Sequence, residues 1–242
     1  MIQKLAWAIF AVLAVAEPIA AQDKWEILDN SFLVEEAFNQ EEGVFQNILT
    51  WTRVRTRSWE ATFTQEWPVP GVNHQLSYTV PFSRSDGVGG LNDLMLNYRY
   101  QLLAETARRP ALAPRASLVV PTGREADGLG DGTVGLEFNL PASKQFGAIY
   151  VHANAGVRWL PDIERRGFIA ASGIWRATAM LNVMLEAIER FDEGVTLSPG
   201  FRRAWNLGEK QIVFGLALPV TRSGGSSEVS VLSYFSYELP FR

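Results

Sequence analysis

The chain has 242 residues, 47% of them hydrophobic, a net charge of −4 and no cysteine. Its basic residues are scattered along the chain rather than clustered, which argues against a nucleic-acid partner. Without cysteine there is no disulfide and no lipoprotein-type lipid attachment, and only two histidines are available for a zinc site. We therefore expect neither a metal nor a cofactor.

Residues 1–21 have the pattern of a secretory signal peptide. A basic start at Lys4 precedes a nearly unbroken apolar run from Leu5 to Ala16, and small residues continue to Ala21. The run is about a dozen residues long, which is short for a membrane-spanning helix. We expect this segment to be cleaved on export; an uncleaved membrane anchor is the alternative.

Residues 22–43 form the predicted N-terminal periplasmic segment. A short helix could begin after a capping residue at Asp29, Asn30 or Ser31, and Gly43 would end it. The sequence leaves two alternative locations for this segment. It either enters the periplasmic mouth of the following domain as a plug, or it lies across the first turn as a short extension.

The remaining residues, 44–242, alternate apolar and polar side chains in one segment after another. Trp59, Ala61 and Phe63 share one face of a strand whose other face carries charged and hydroxyl side chains. Twelve such strands can be placed, and many are close to the roughly 9–11 residues of a tilted membrane strand. An even strand number is typical of bacterial barrels.

We therefore predict an all-β fold, a closed antiparallel transmembrane β-barrel of about twelve strands. Its apolar faces would meet lipid and its polar faces would line the lumen. A soluble β-sandwich is the alternative with the same alternation, and it would bury the apolar faces instead. The sixth predicted strand, Thr133–Leu140, is followed by a predicted turn at Pro141–Gln145.

The C-terminus repeats the alternation, because Phe235, Tyr237, Leu239 and Phe241 share one face almost to the last residue. This arrangement resembles the terminal strand that outer-membrane barrels present to their insertion machinery, although Arg242 follows the final aromatic residue. We expect the lipid of the bacterial outer membrane and the barrel insertion machinery as partners.

Residues on the predicted lumen face are the candidates for a solute path. Those with charged or imidazole side chains are Glu60, Glu66, Asp93, Arg99, Arg115, Glu137, His152, Arg158 and Glu186. We expect most of the charges to pair across the interior and a few to define a constriction. Tyr150, Met180 and Met184 also point inward and could give an apolar step for an aromatic solute; gap filling is the alternative.

Enzymatic motifs are weak in this chain. Gly130–Gly135 has the spacing of a dinucleotide-binding loop, but a strand rather than a helix follows, so these glycines read as turn residues. Hydrolysis would need a serine beside His74 or His152, and no G-x-S-x-G elbow is present. We predict no catalytic residues. An outer-membrane hydrolase and a non-transporting structural or adhesive barrel are the alternatives.

Three short stretches resemble a known family: Glu35–Gln46, Gly90–Leu94 and Val119–Gly123. The likeness runs from about Asp29 to the C-terminus, and it is to the family of outer-membrane transporters named for the meta-pathway of phenol degradation. The resemblance implies a barrel in the outer membrane. It also implies a channel that admits small hydrophobic or aromatic compounds by non-covalent passage through the lumen.

Overall fold

The computed structural model describes residues 27, 29, 31–55, 58–208 and 210–241. The predicted signal peptide, residues 1–21, lies outside the described residues. Within them, no helix has both the length and the apolar character needed to cross a membrane. The short 3-10 helix Glu125–Asp127 interrupts an otherwise all-β structure.

The described residues form sixteen strands. These are β1 Val44–Arg55, β2 Ser58–Trp67, β3 His74–Ser85, β4 Val88–Leu91, β5 Leu94–Tyr100, β6 Ala111–Leu112, β7 Arg115–Val120, β8 Gly135–Phe146, β9 Ile149–Leu160, β10 Glu164–Thr178, β11 Leu181–Arg190, β12 Gly194–Leu207, β13 Lys210–Ala217, β14 Val220–Ser223, β15 Ser226–Val229 and β16 Val231–Pro240.

Twelve of these strands close into one antiparallel ring. Its order is β1, β2, β3, β5, β7, β8, β9, β10, β11, β12, β13 and β16. The ring closes where β1 pairs with β16, from Val44 opposite Pro240 to Arg53 opposite Val231. The short strands β4, β6, β14 and β15 add local hairpins and edges to this wall. The predicted closed antiparallel barrel of about twelve strands is confirmed.

The barrel has two rims, which we name by the course of β1. The near rim is the end where β1 begins at Val44 and where β16 ends at Pro240. The far rim is the end where β1 reaches Arg55. The longest described connection at the far rim is the loop of residues 121–134, between β7 and β8.

The strand boundary predicted at Pro141 is wrong. The turn expected at Pro141–Gln145 does not form, because β8 continues to Phe146 and Pro141 pairs with Asn154 of β9. The Pro141 carbonyl accepts a hydrogen bond from Ala113 N–H. In an antiparallel ladder the nitrogen and the carbonyl of one residue face the same neighbour, so the Pro141 nitrogen, which has no hydrogen to donate, faces residue 113 and not β9. Residue 113 lies in the break between β6 and β7, where the ladder is already interrupted. A proline is tolerated there without loss of a bond to β9.

The wall is apolar outside and polar inside. Leu96 is 47% exposed on the outer surface while the next residue, Asn97, faces the lumen and is 5% exposed. Leu185 and Glu186 repeat this contrast on β11, at 56% and 0%. A sandwich would bury the leucines, so the alternation here has the barrel's orientation.

An N-terminal stretch lies inside the barrel. We call residues 27, 29 and 31–43 the lumen segment. The helix predicted here does not form in the described residues, which have an irregular, non-helical backbone. The physical reason is that its backbone N–H groups donate to side chains of the wall, as described below, and so do not pair within a helix.

Candidate functional site

The lumen segment follows the inner wall and bonds to one strand after another. Its backbone N–H groups are the donors, and inward-facing side chains of the wall are the acceptors, at 2.7–3.3 Å. The donors pair as follows: Leu33 and Val34 with Glu186 on β11, Glu35 with Asn154 on β9, Ala37 with Ser143 on β8, Asn39 with Gln101 just after β5, and Gln40 with Gln75 on β3. The polar face of the barrel therefore acts as a continuous set of acceptors for one extended chain.

Asp29 fixes the beginning of the lumen segment. Its carboxylate accepts hydrogen bonds from Gln46 Nε2 at 2.7 Å, Tyr234 OH at 2.5 Å and Ser236 Oγ at 2.6 Å. Its backbone carbonyl accepts from Arg202 Nη1 at 2.6 Å. Asp29 is 1% exposed. Burial of a carboxylate is tolerated here because several donors satisfy it.

Arg99 holds the other end of the segment. Its guanidinium donates to the backbone carbonyls of Glu36 at 3.1 Å and Phe38 at 2.5 Å. It also donates to Asn39 Oδ1 at 3.1 Å and to Gln75 Oε1 at 2.9 Å. Arg99, which is 4% exposed, thus ties Glu36, Phe38 and Asn39 to the β3–β5 wall.

Two of the predicted lumen charges pair directly. Arg115 Nη2 lies 2.5 Å from Glu137 Oε1 on the neighbouring strand, and Arg115 Nη1 lies 2.7 Å from Glu35 Oε1 of the lumen segment. We expected charged side chains to pair with one another across the lumen. Arg115 instead pairs with one carboxylate of the wall and one of the lumen segment, and so attaches the segment to the wall.

Glu36 carries a perturbed carboxyl group. It lies in the lumen segment, outside the strands, and burial raises the pKa of Glu36 to about 7. The positive charges of Arg99 and Arg202 oppose the rise, while Asp29 and Glu66 add to it. The docked segment thus favours a protonated Glu36 more than an exposed chain would.

Phe32 provides the main apolar anchor of the segment. Its ring lies 5.0 Å from the ring of Tyr234, centroid to centroid. It also packs against β13 at Gly215, where an added Cβ would lie 2.2 Å from Phe32 Cζ. Gly200 on β12 leaves similar room, at 3.0 Å from Phe32 Cε2. Two glycines in the wall thus make the recess that receives this ring.

The two predicted lumen methionines lie under the segment. Met184 is 3% exposed and belongs to an apolar cluster with Ile27, Phe32 and Ile174, against which Met180 packs. Glu186 lies two residues after Met184 on the same face of β11. It is fully buried and accepts hydrogen bonds from the Leu33 and Val34 N–H groups. These residues hold the segment in the present arrangement.

Open space remains on both sides of the segment. The far cavity, of about 890 Å³, is lined by Glu60, Asp93 and Arg158 among others. The near cavity, of about 600 Å³, is lined by Glu105, Tyr150 and others. Two smaller cavities of about 290 and 220 Å³ lie against the segment itself.

The 220 Å³ cavity shares lining residues with both large cavities. Thr62 and Thr79 line both the far cavity and the 220 Å³ cavity. Glu66 and Arg99 line both the 220 Å³ cavity and the near cavity. Gln75 bridges them, because its Nε2 donates to Glu66 at 2.8 Å and its Oε1 accepts from Arg99.

Asp93 organises the loop at the far rim. Its carboxylate accepts the backbone N–H groups of Gly123 at 2.9 Å and Asp131 at 2.8 Å. Arg158 in turn lies 2.9 Å from Asp131, across the lumen-facing side of the loop. A Cβ at Gly130 would lie 2.4 Å from Asp93 Oδ1, so this glycine permits the close approach of loop and carboxylate.

The two histidines have different environments. His152 is buried, and its Nδ1 lies 2.7 Å from Ser143 Oγ, with the Tyr150 ring stacked at 6.2 Å. Ser143 Oγ also accepts the Ala37 N–H at 2.7 Å, and Ser143 is 1% exposed. This serine–histidine pair therefore serves the lumen segment. His74 faces outward, where its Nδ1 lies 2.7 Å from Tyr98 OH.

Several residues that hold the segment were missed by sequence reasoning. They are Asp29, Gln46, Gln75, Ser143, Asn154, Arg202, Tyr234 and Ser236. All but Asp29 lie on inward faces that the alternation identifies, so a search for uncharged polar side chains on those faces would have found most of them. The lumen segment, which is their common partner, could not be predicted, because the alternation of the strands carries no information about which other part of the chain enters the lumen.

Comparisons with known proteins bear on the fold. No protein-family model matches the chain, and no curated protein matches its sequence. Among solved structures, the chain is similar to an outer membrane channel from Pseudomonas putida F1. The two share 13% identity over 92% of this chain and 100% of that one, with a TM-score of 0.64.

More distant likenesses have TM-scores of 0.42 for the CymD monoaromatic hydrocarbon channel and 0.27 for a mutant of Rh. blastica porin. The former has 10% identity and covers 84% of this chain and 90% of that one; the latter has 9% identity and covers 81% and 98%. Neither is close enough to carry an argument. The likeness to the Pseudomonas putida F1 protein establishes that this chain has the β-barrel fold of an outer-membrane channel.

Proposed function

We propose that the protein is a channel of the bacterial outer membrane that admits small hydrophobic or aromatic compounds through its lumen, without covalent chemistry. We further propose that it belongs to the family of outer-membrane transporters named for the meta-pathway of phenol degradation. The near rim would face the periplasm, after removal of the signal peptide, and the C-terminal strand β16 would be read by the insertion machinery.

One observation carries this proposal. A closed barrel with an apolar outer wall encloses two large cavities. Between them lies a segment attached by hydrogen bonds, by the Glu35–Arg115 ion pair and by apolar contacts such as the recess around Phe32. Twelve strands enclose more space than the side chains of an eight-stranded barrel can fill. A solute therefore needs a shift of the lumen segment, or passage beside it at Glu66 and Arg99.

Apolar side chains are present on both sides of the segment. Met95, Val119 and Leu129 line the far cavity, while Phe38 and Tyr150 line the near cavity. Small aromatic solutes can contact such patches while the polar groups remain hydrogen-bonded to one another. Glu60, Glu137 and Arg158, together with the other predicted lumen charges, would set the polarity of the path.

The test combines conductance with uptake. Purified protein would be examined in planar bilayers, beside a variant that lacks residues 27–41. Cells with an intact lipopolysaccharide layer would be tested for uptake of radiolabelled toluene. We expect faster uptake with the protein than without it, and a larger conductance for the shortened variant. If neither protein conducts ions nor accelerates uptake while both are folded, the barrel is structural and the channel proposal is wrong.

A further inference from the structure

An apolar patch interrupts the polar inner wall of the barrel. On β2, β3 and β5, the buried residues that the structure describes are all polar or charged: Glu66, Gln75, Asn97 and Arg99. From β10 round to β1, the inward faces instead carry a cluster of buried apolar side chains, chiefly those of Ile48, Ile174, Met184, Val213, Leu232 and Tyr234. We call these residues the apolar patch. The inside of a membrane barrel is ordinarily polar, so the patch needs a reason of its own.

Phe32 of the lumen segment covers the apolar patch. A Cβ on either Gly200 or Gly215 would lie within 3.0 Å of a carbon of its ring, so the ring occupies the space that two side chains would otherwise take. The Tyr234 ring closes a third side, with its centroid 5.0 Å from that of Phe32. The recess therefore has the width of one aromatic ring, and its aromatic neighbour favours a ring over an aliphatic group of the same size.

Hydrogen bonds on both sides of Phe32 hold it over the recess. Ser31 Oγ lies 2.8 Å from Ser172 Oγ, and the Leu33 N–H donates to Glu186 Oε1 at 2.7 Å. A ligand that takes the place of the ring therefore competes with the docked segment. Binding of the ligand and docking of the segment are linked equilibria.

Open space borders the recess. The 220 Å³ cavity is lined by Phe32, Ile48 and Tyr234, and it shares lining residues with both large cavities. A patch that served only to anchor the segment would need no cavity at its edge. Apolar cavities of about 150 Å³ bind benzene, so the volume now filled by the Phe32 ring, together with the space beside it, is enough for a small aromatic solute.

We propose that this recess is a binding site for a single uncharged aromatic ring, and that Phe32 occupies it when no solute is present. The inference rests on the proposed channel function and names the place in the lumen where the solute binds. Toluene is the side chain of phenylalanine with an added hydrogen, so it can replace Phe32 against Gly200, Gly215 and Tyr234. A charged ring would lose its hydration among these apolar contacts without gaining a partner.

The experiment follows hydrogen–deuterium exchange of residues 31–40 in the folded barrel in detergent. Toluene is the probe, and methylcyclohexane, which is of similar size but not aromatic, is the control solute. Both are supplied from vapour of fixed activity, so that uptake by the detergent does not change their free concentrations. The test variant is Phe32→Ala. The matched control is Phe38→Ala, which removes another aromatic ring of the segment, one that packs against a separate cluster of alanines.

Toluene should act in opposite directions on the native protein and on Phe32→Ala. At about twice its Kd, a ligand shifts a linked equilibrium about threefold, so displacement of Phe32 should lower the protection of residues 31–40 about threefold in the native protein. In Phe32→Ala the ring is already absent, and toluene should fill the void under the segment and raise the protection by a similar factor. Phe38→Ala should respond as the native protein does, and methylcyclohexane should have a much weaker effect on all three proteins.

Three outcomes would overturn the assignment: no loosening of the native segment by toluene, a change of the same sign in Phe32→Ala, or an equal response to methylcyclohexane. The native protein keeps the test usable if Phe32→Ala does not fold, because loosening by toluene and not by methylcyclohexane is required there.

Failure of this inference can be distinguished from failure of the channel proposal. Accelerated uptake of toluene without the reversal of sign would leave the channel standing and overturn the recess as a binding site. The reversal of sign in a barrel that neither conducts nor accelerates uptake would leave the binding site standing and overturn the channel.

Discussion

Asn154 and Glu35 exchange two hydrogen bonds of equal length. The Glu35 backbone N–H donates to Asn154 Oδ1, and Asn154 Nδ2 donates to the Glu35 carbonyl, both at 2.8 Å. A single side-chain amide thereby satisfies both backbone groups of one residue, as a neighbouring strand would do. The lumen segment can dock in this way without adding a strand to the sheet.

Asn154→Leu should loosen the lumen segment. The substitution removes both hydrogen bonds to Glu35, and each contributes a net stabilisation of about 1 kcal/mol. The protection of the segment's amide hydrogens from exchange should therefore fall about tenfold or more. Hydrogen–deuterium exchange of residues 31–40 in detergent measures this. Asn97→Leu is the matched control, because Asn97 is also buried in the lumen but bonds to Ser77 and Thr79. Equal effects of the two variants would contradict a specific role for Asn154.

Gly215→Ala should displace Phe32. The added Cβ would lie 2.2 Å from Phe32 Cζ, and overpacking of this kind costs about 1–3 kcal/mol. We expect a lower thermal stability and faster exchange of the segment. Gly173→Ala is the control, because a Cβ at Gly173 meets nothing within 4 Å.

A double substitution isolates the contact. In a Phe32→Ala background, Gly215→Ala should have a much smaller effect, because the ring atoms that the added Cβ would strike are gone and only the Phe201 carbonyl oxygen, at 3.1 Å, stays close. If Gly215→Ala destabilises both backgrounds equally, its effect comes from the wall and not from the recess around Phe32.

Arg99→Leu should raise the conductance of the channel. The substitution removes the hydrogen bonds that Arg99 donates to the Glu36 and Phe38 carbonyls and also opens the passage beside Glu66. A charged constriction controls conduction, so we expect a rise of about twofold or more in planar bilayers. Arg203→Leu removes an outward arginine and should change nothing. An unchanged conductance in Arg99→Leu would place the route elsewhere.

Docking of the lumen segment should weaken as the pH rises. Burial raises the pKa of Glu36 to about 7 from an ordinary value of 4.5, so between these values the docked state binds more protons than the undocked state. By linkage, this contribution to docking is complete below about pH 4.5 and is lost as the pH rises through 7.

Exchange of residues 31–40 at pH 5 and pH 8, corrected for the intrinsic pH dependence of exchange, measures the effect. The native segment should be better protected at pH 5. Glu36→Gln keeps the size of the side chain and removes its titration, so this variant should show a smaller difference in corrected protection between the two pH values. An undiminished difference in Glu36→Gln would assign the pH dependence to another group.

The alternation was sufficient to predict the wall and its two faces. Leu96 and Leu185 were expected outside and Glu186 inside, and each is found there. The two-residue period fixes these positions locally, because successive strand side chains point to opposite faces. The error at Pro141 arose because a proline is tolerated wherever the ladder is already broken, and the break between β6 and β7 is not visible in the residues near position 141.

The amino-acid sequence by itself determined that this chain forms a closed barrel of twelve strands, since periodicity, strand length and strand number are properties of short segments. Only the tertiary structure decided the contents of the barrel and the partners of its inner side chains. The lumen segment shows no regular periodicity, and its bonds join residues 17 to 207 positions apart in the chain. Such contacts depend on closure of the ring, which brings distant strands around one axis before the segment has anything to bind.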